Sequence, residues 1–154
     1  MSINKTWLAF LPALLLSGVA PSYAQQQASV AQDVSPIYES LEGLPFSSSV
    51  RVGPTVYLSG VLGLGSDGRL VEGGAAGQTR QAMDNLKAAL ERAGSSLEHV
   101  AKCTVILADI KDFASMNDVY KKYFNSRRLP ARTTFAASLV RDARVEIECV
   151  AVMS

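Results

Sequence analysis

Residues 75–94 place Ala82, Met83, Leu86, Ala89, Leu90 and Ala93 at helical spacing, and Gly94 supplies the left-handed stop that ends such a run. Residues 100–107 follow almost at once, dominated by Val, Thr, Ile and Cys and ending before polar Asp109, which predicts a strand. An amphipathic helix feeding a β-branched run must bury its apolar stripe against a sheet, and this restricts the chain to a layered helix-on-sheet fold. A second helix is expected over residues 112–124, with Phe113, Met116, Val119, Tyr120, Tyr123 and Phe124 along one face, read as a core-packing stripe. Between helix and strand, Ser95 and Glu98 have the S-x-x-E spacing of a capped short turn.

The flanking segments are β-like. Residues 49–52 and 55–59 are β-rich runs around Gly53-Pro54, a hairpin signature, and Asp67-Gly68 marks a second turn before Leu70-Val71. Two further strands are expected over residues 133–137 and 145–152, separated by a polar turn at Arg141-Asp142. The order β-β-β-α-β-α-β-β predicts an α+β domain, a mixed sheet with both helices packed on one face. In the last strand Ile147, Cys149 and Ala151 share the side expected to meet the helices, while Glu146, Glu148, Val150 and Val152 share the other. No segment remains to cover that second face, so self-association through it is expected.

The amino terminus has a different character. Lys5, an apolar stretch over residues 7–19 and the small-residue ending Ser22-Tyr23-Ala24 form a secretory signal, with cleavage expected after Ala24. Pro12 and Gly18 interrupt the stretch, which falls short of the roughly 20 residues of a spanning helix, so no stable membrane association is expected after cleavage. The chain then divides into a signal over residues 1–24, a polar leader over 25–34 and one domain over 35–154, and the protein is expected in the periplasm or outside the cell. Of 15 basic side chains only Lys5 lies in the signal, leaving 14 against 14 acidic groups, a balance that argues against a nucleic-acid partner. Cys103 and Cys149 lack metal-ligand spacing, and with a single histidine, His99, read as a solvated turn residue, no metal site is expected. Two buried thiols are the favoured reading over a disulfide.

Arg132 follows Pro130-Ala131 at the start of a strand, where a planar guanidinium can hold a carboxylate bidentately, and Glu146 sits early in the next strand. They fit two readings, a substrate anchor with a water-orienting acid or a salt bridge closing the sheet end, and local pattern alone favours the salt bridge. No nucleophile elbow, P-loop or HExxH motif is present, so the cofactor and metal classes that depend on them lose support.

Taken together, Leu58-Ser59-Gly60, Gln78-Thr79-Arg80-Gln81 with Asn85-Leu86, Ala93-Gly94-Ser95-Ser96-Leu97, Asp112-Phe113, Asn117, Tyr120, Pro130-Ala131-Arg132 and Val145-Glu146-Ile147-Glu148 resemble the RidA (YjgF) family. The resemblance runs from about Pro45 to Val152. It implies a chorismate-mutase-like α+β fold, a homotrimer with ligand clefts between subunits, and cofactor-free hydrolysis of 2-imino or enamine acids to 2-keto acids and ammonia. Arg132 would grip the substrate carboxylate, Glu146 would position water, Ser59 and Gly60 would line the site, Asn117 would stand at its edge, and Phe46 would add a wall from a neighbouring subunit. The chain departs from the family pattern at Phe46, where a tyrosine is usual, at Thr134, where a cysteine is usual in the substrate pocket, and at Val61 in place of glutamine. Those departures motivate an alternative, a non-catalytic trimer that binds small carboxylates or partner proteins in the same clefts.

Overall fold

The computed structural model describes residues 34–154, so the signal over residues 1–24 and the leader as far as residue 33 fall outside the described residues. The elements are β1 (Ile37–Ser40), β2 (Ser47–Val52), β3 (Thr55–Leu58), β4 (Val61–Leu62), α1 (Gly74–Arg92), β5 (Val100–Leu107), α2 (Phe113–Tyr120), β6 (Ala131–Ala136) and β7 (Val145–Val152). They form one mixed sheet in the order β1-β2-β3-β7-β5-β6, with β4 pairing β7 beside that path. The β5–β6 pair is parallel. Parallel neighbours need a crossover, and α2 supplies it.

Local chemistry sets the frame. Val52 pairs Thr55 across Gly53-Pro54, with Gly53 at φ 56°. Because proline holds φ near −65°, only the first turn position can be left-handed, which makes this the type II′ hairpin that suits strand twist. Helix α1 stops in a Schellman motif: Gly94 sits at φ 80°, its N–H donates to the Glu91 carbonyl, and the Ser95 N–H donates to that of Leu90.

Both helices cover one sheet face. Val56, Met83, Leu86, Leu90, Val105, Leu107, Met116, Val145 and Ile147 are fully buried between the layers. Each such side chain contributes roughly 1.5–3 kcal/mol by leaving water. Residues alternate along β7 as the sequence predicts, with Ile147, Cys149 and Ala151 buried and Glu148 and Val152 exposed on the opposite face. Tyr38, Tyr57 and Phe135 also stand exposed.

The structure corrects several expectations. Strands β1 and β4 were not anticipated, because four and two residues are too short to show a period. Leu70 forms an isolated bridge to Leu64, not a strand. The second helix ends at Tyr120 and continues as a 3₁₀ turn over Lys121–Tyr123. Ser95 caps nothing: its hydroxyl donates to the Val152 carbonyl at 2.6 Å and ties the helix exit to β7. His99 is held, its Nδ1 within 3.0 Å of the Ser96 hydroxyl and 3.2 Å of the Ser154 hydroxyl.

The two cysteines form a disulfide, not two free thiols. Cys103 lies directly opposite Cys149 in the β5–β7 ladder, with Cα atoms 4.1 Å apart. Two residues 46 apart in sequence meet only through strand register, which composition cannot reveal. Closing a loop of that length restricts the unfolded chain by about 4 kcal/mol in the chain-entropy view. The double Cys103→Ala, Cys149→Ala variant is therefore expected to lose about 2–4 kcal/mol in urea denaturation under non-reducing conditions. An unchanged midpoint would show that the bond adds nothing to stability.

Edge strand β1 is fastened to α1 by charge. The Glu39 carboxylate accepts from Arg92 Nε at 3.0 Å and from the Ser49 hydroxyl at 3.0 Å. Burial pushes its pKa up, but hydrogen bonds from the neighbouring serines and Arg92, with the Arg92 charge, prevail and hold it below 4.5. A carboxylate whose folded pKa is depressed stabilises the fold above its unfolded value, and that contribution is lost as pH falls through the folded one. In a carboxyl NMR titration Glu39 is expected to titrate below 4.5 in the wild type and to move upward in Arg92→Gln; equal values would remove this tether from the account.

Candidate functional site

Arg132 lies one residue inside edge strand β6, so pleating decides where it points. Its partner across the parallel ladder is buried Cys103, which puts Arg132 on the helix-covered face. There the guanidinium carbon lies 4.7 Å from the ring centre of Tyr120 and 5.7 Å from that of Phe113, both on α2. Among the described residues Arg132 makes no ion pair. Beside it is a cavity of about 300 Å³ lined by Asn117, Tyr120, Lys121, Leu129, Pro130 and Arg132. Lys121 is already engaged by Asp118 at 2.6 Å, leaving Arg132 as the unpaired cation there. Burial pushes the Tyr120 phenol up to about 12 although the Arg132 charge pulls the other way, so it stays neutral and keeps its proton. Its hydroxyl and that of Thr134 are buried and have no hydrogen-bond partner among the described residues. Thr134 shares the face of Arg132, two residues along β6, but is not among the residues that line the Arg132 cavity.

Glu146 occupies the other side. It pairs with Ile106 in the β5–β7 ladder and with Leu62 in β4, between fully buried Val145 and Ile147. Its carboxylate accepts no hydrogen bond among the described residues. A larger cavity of about 540 Å³ joins it to Phe46, Ser59, Gly60, Val61 and Arg141. Gly60 leaves room for the Glu146 carboxylate, which a Cβ there would push aside. The Ser59 hydroxyl donates to the Ser47 carbonyl at 2.6 Å, so its proton fastens the strands, and only its lone pairs face a ligand. Asn85 on α1 donates to the Leu62 and Leu64 carbonyls at 3.2 and 2.9 Å and holds β4 in place as the floor.

The sequence-predicted residues thus fall into two groups. Arg132 and Asn117 share one cavity; Phe46, Ser59, Gly60 and Glu146 share the other. Two strand spacings across and three residues along put Arg132 and Glu146 about 14 Å apart at Cα, facing opposite sides of the sheet. The salt bridge favoured by local pattern is therefore absent, and so is any direct contact between these two groups within one chain.

Sequence reasoning missed Tyr120 and Phe113 as neighbours of Arg132, reading them as core. Tyr120 is indeed buried, but Phe113 is 40% exposed and serves the guanidinium instead. Their seven-residue spacing, two helical turns, was the available signal. Asn85 stood only in the family pattern and Arg141 only in a polar turn, and neither was marked as part of the site.

The chain is thus of the α+β class, with an arginine half-site and a carboxylate half-site on opposite faces of one mixed sheet. A family model described as Endoribonuclease L-PSP matches residues 40–153. The 2-iminobutanoate/2-iminopropanoate deaminases of Bos taurus and Homo sapiens are 47% and 44% identical over 110 residues, spanning 70% of this chain and 80% of each relative. A crystal structure of a YjgF family member from Neisseria meningitidis superposes with a TM-score of 0.71 at 29% identity, covering 80% of this chain and 98% of that one. That of RidA from an Antarctic Psychrobacter gives 0.69 at 36%, covering 73% and 92%. The chain belongs to the RidA (YjgF) family, and its fold is the one shared by these structures.

Proposed function

We propose that this protein is an exported, cofactor-independent deaminase that hydrolyses 2-imino acids, or their enamine tautomers, to 2-keto acids and ammonia. The observation that carries the reading is an unpaired Arg132 held at the edge of a cavity, in a chain 44–47% identical to proteins named as 2-iminobutanoate/2-iminopropanoate deaminases. The guanidinium binds the substrate carboxylate through two parallel N–H donors. A protonated imine is already electrophilic at its second carbon, so the protein has to orient it and place a water. Glu146 accepts a hydrogen bond from that water and takes its proton as oxygen adds to carbon. Glu146 returns that proton to the nitrogen of the tetrahedral adduct, and ammonia leaves as the C–N bond breaks, the hydroxyl giving up its proton to the freed carboxylate as the C=O bond forms.

Because Arg132 and Glu146 face opposite sides of the sheet, we place the working cleft between chains of a homotrimer, the arginine half from one protomer and the acid half from its neighbour. The apolar side chains on the open face, among them Tyr57 and Phe135, are the surface for that assembly. Export follows from the signal pattern of residues 1–24. The Cys103–Cys149 disulfide fits an oxidising compartment.

The deciding experiment supplies imino acids in place with an amino-acid oxidase and follows 2-keto acid release by the purified mature domain. Acceleration over buffer that is lost in Arg132→Ala supports the deaminase. Binding of 2-keto acids with no turnover would instead identify a carboxylate-binding module.

A further inference from the structure

The cradle of Arg132 deepens this reading. An arginine side chain has four rotatable torsions, and one that must meet a carboxylate squarely has to be oriented beforehand or lose affinity in ordering itself. Ion pairing is the usual means of fixing it, yet Arg132 makes none among the described residues. What it has is two aromatic rings within cation–π range, Tyr120 at 4.7 Å and Phe113 at 5.7 Å. A ring contact draws on the charge of a guanidinium without supplying it a carboxylate, whereas an acidic partner would consume the donors a ligand needs.

The helix is built for this. Phe113, Asn117 and Tyr120 stand four and three residues apart, so they line one face of α2 and present ring, amide and ring toward β6. Tyr120 is 4% exposed and packs on Phe124 with ring centres 4.9 Å apart, so its position is set by the core. Among the described residues its hydroxyl has no hydrogen-bond partner, and what it offers Arg132 is its ring.

We infer that Tyr120 and Phe113 are positioning residues that preset the Arg132 guanidinium to receive the carboxylate of the substrate. The inference rests on Arg132 being the carboxylate anchor. The test measures KM, kcat and the Kd of 2-oxobutanoate for Tyr120→Leu, Tyr120→Phe, Phe113→Leu and Arg132→Ala in the assembled mature protein. Tyr120→Leu is expected to raise KM and Kd together by about 3- to 30-fold with kcat nearly unchanged, the range of a lost cation–π contact. Tyr120→Phe, which keeps the ring, is expected to stay within about 2-fold of wild type. Phe113→Leu, at a half-exposed position, is expected to shift KM and Kd in the same sense and covers the case in which Tyr120→Leu does not fold.

Equal losses in Tyr120→Phe and Tyr120→Leu would overturn the inference, since the hydroxyl would then be the group in use. Unchanged affinity in the ring-deleted variants would do so as well. If Arg132→Ala itself binds 2-oxobutanoate like wild type, the anchor assignment fails. If Arg132→Ala loses binding and the ring variants do not, only the positioning role fails.

Discussion

Arg132→Ala is expected to lower kcat/KM on 2-imino acids by about two to three orders of magnitude while the domain stays folded. Two charge-assisted hydrogen bonds to a carboxylate, at about 1.5–3 kcal/mol each and less than additive, amount to that many decades. The side chain makes no ion pair or hydrogen bond whose removal would strand a buried partner in the fold, so thermal denaturation should move little. The loss should be shared between KM and kcat, because the same grip that binds the substrate also orients it for attack. Lysine at this position keeps the charge but not the fork, and it should recover only part of the affinity. Wild-type rates in Arg132→Ala, assayed with oxidase-generated imino acids, would remove the residue from the chemistry.

The second large effect appears when two inactive variants are combined. Arg132→Ala and Glu146→Gln damage half-sites on opposite faces of the chain, and each alone should be nearly inactive. If the proposed trimer holds, co-refolding in equal amounts gives mixed assemblies in which about one cleft in four receives its arginine from one chain and its acid from another, both intact. Activity is therefore expected to rise to about a quarter of the wild-type value per chain. The order of mixing supplies a control, since simply combining the two folded homotrimers should give nothing until subunits exchange. Failure to recover activity after verified co-assembly would mean that both groups serve one chain's own cleft, whereas wild-type activity in Glu146→Gln alone would remove Glu146 from the reaction.

Much of this arrangement was legible before any coordinates. Alternation along residues 145–152 assigned Ile147 and Glu146 to opposite faces, because period-two burial is a local property. Helix α1 was equally plain, since Gly94 and the apolar stripe act within a few turns. Strand β1 was not, as four residues tethered by Glu39 to a distant helix have no period of their own. The Cys103–Cys149 bond was missed for a related reason: it depends on the register of β5 against β7, which is set by the packed sheet. At the site, residue types were readable and their grouping was not. Arg132 and Glu146 are 14 positions apart in sequence, yet the parallel pairing of β6 and the antiparallel pairing of β7 turn them to opposite faces. No local pattern carries that information.

The loop between β6 and β7 holds Arg141 and Asp142 at φ 61° and 56°, a conformation that costs non-glycine residues roughly 1 kcal/mol each. The Arg141 guanidinium donates to the Gly68 carbonyl at 2.6 Å, clamping the strained pair where Val140 and Arg141 rim the Glu146 cavity. Conformations of this kind persist only where their surroundings leave no alternative. In the deaminase reading, a rim held this way would have its outline set before the substrate arrives, so that fit to a given aperture would weigh more than any moulding of the edge.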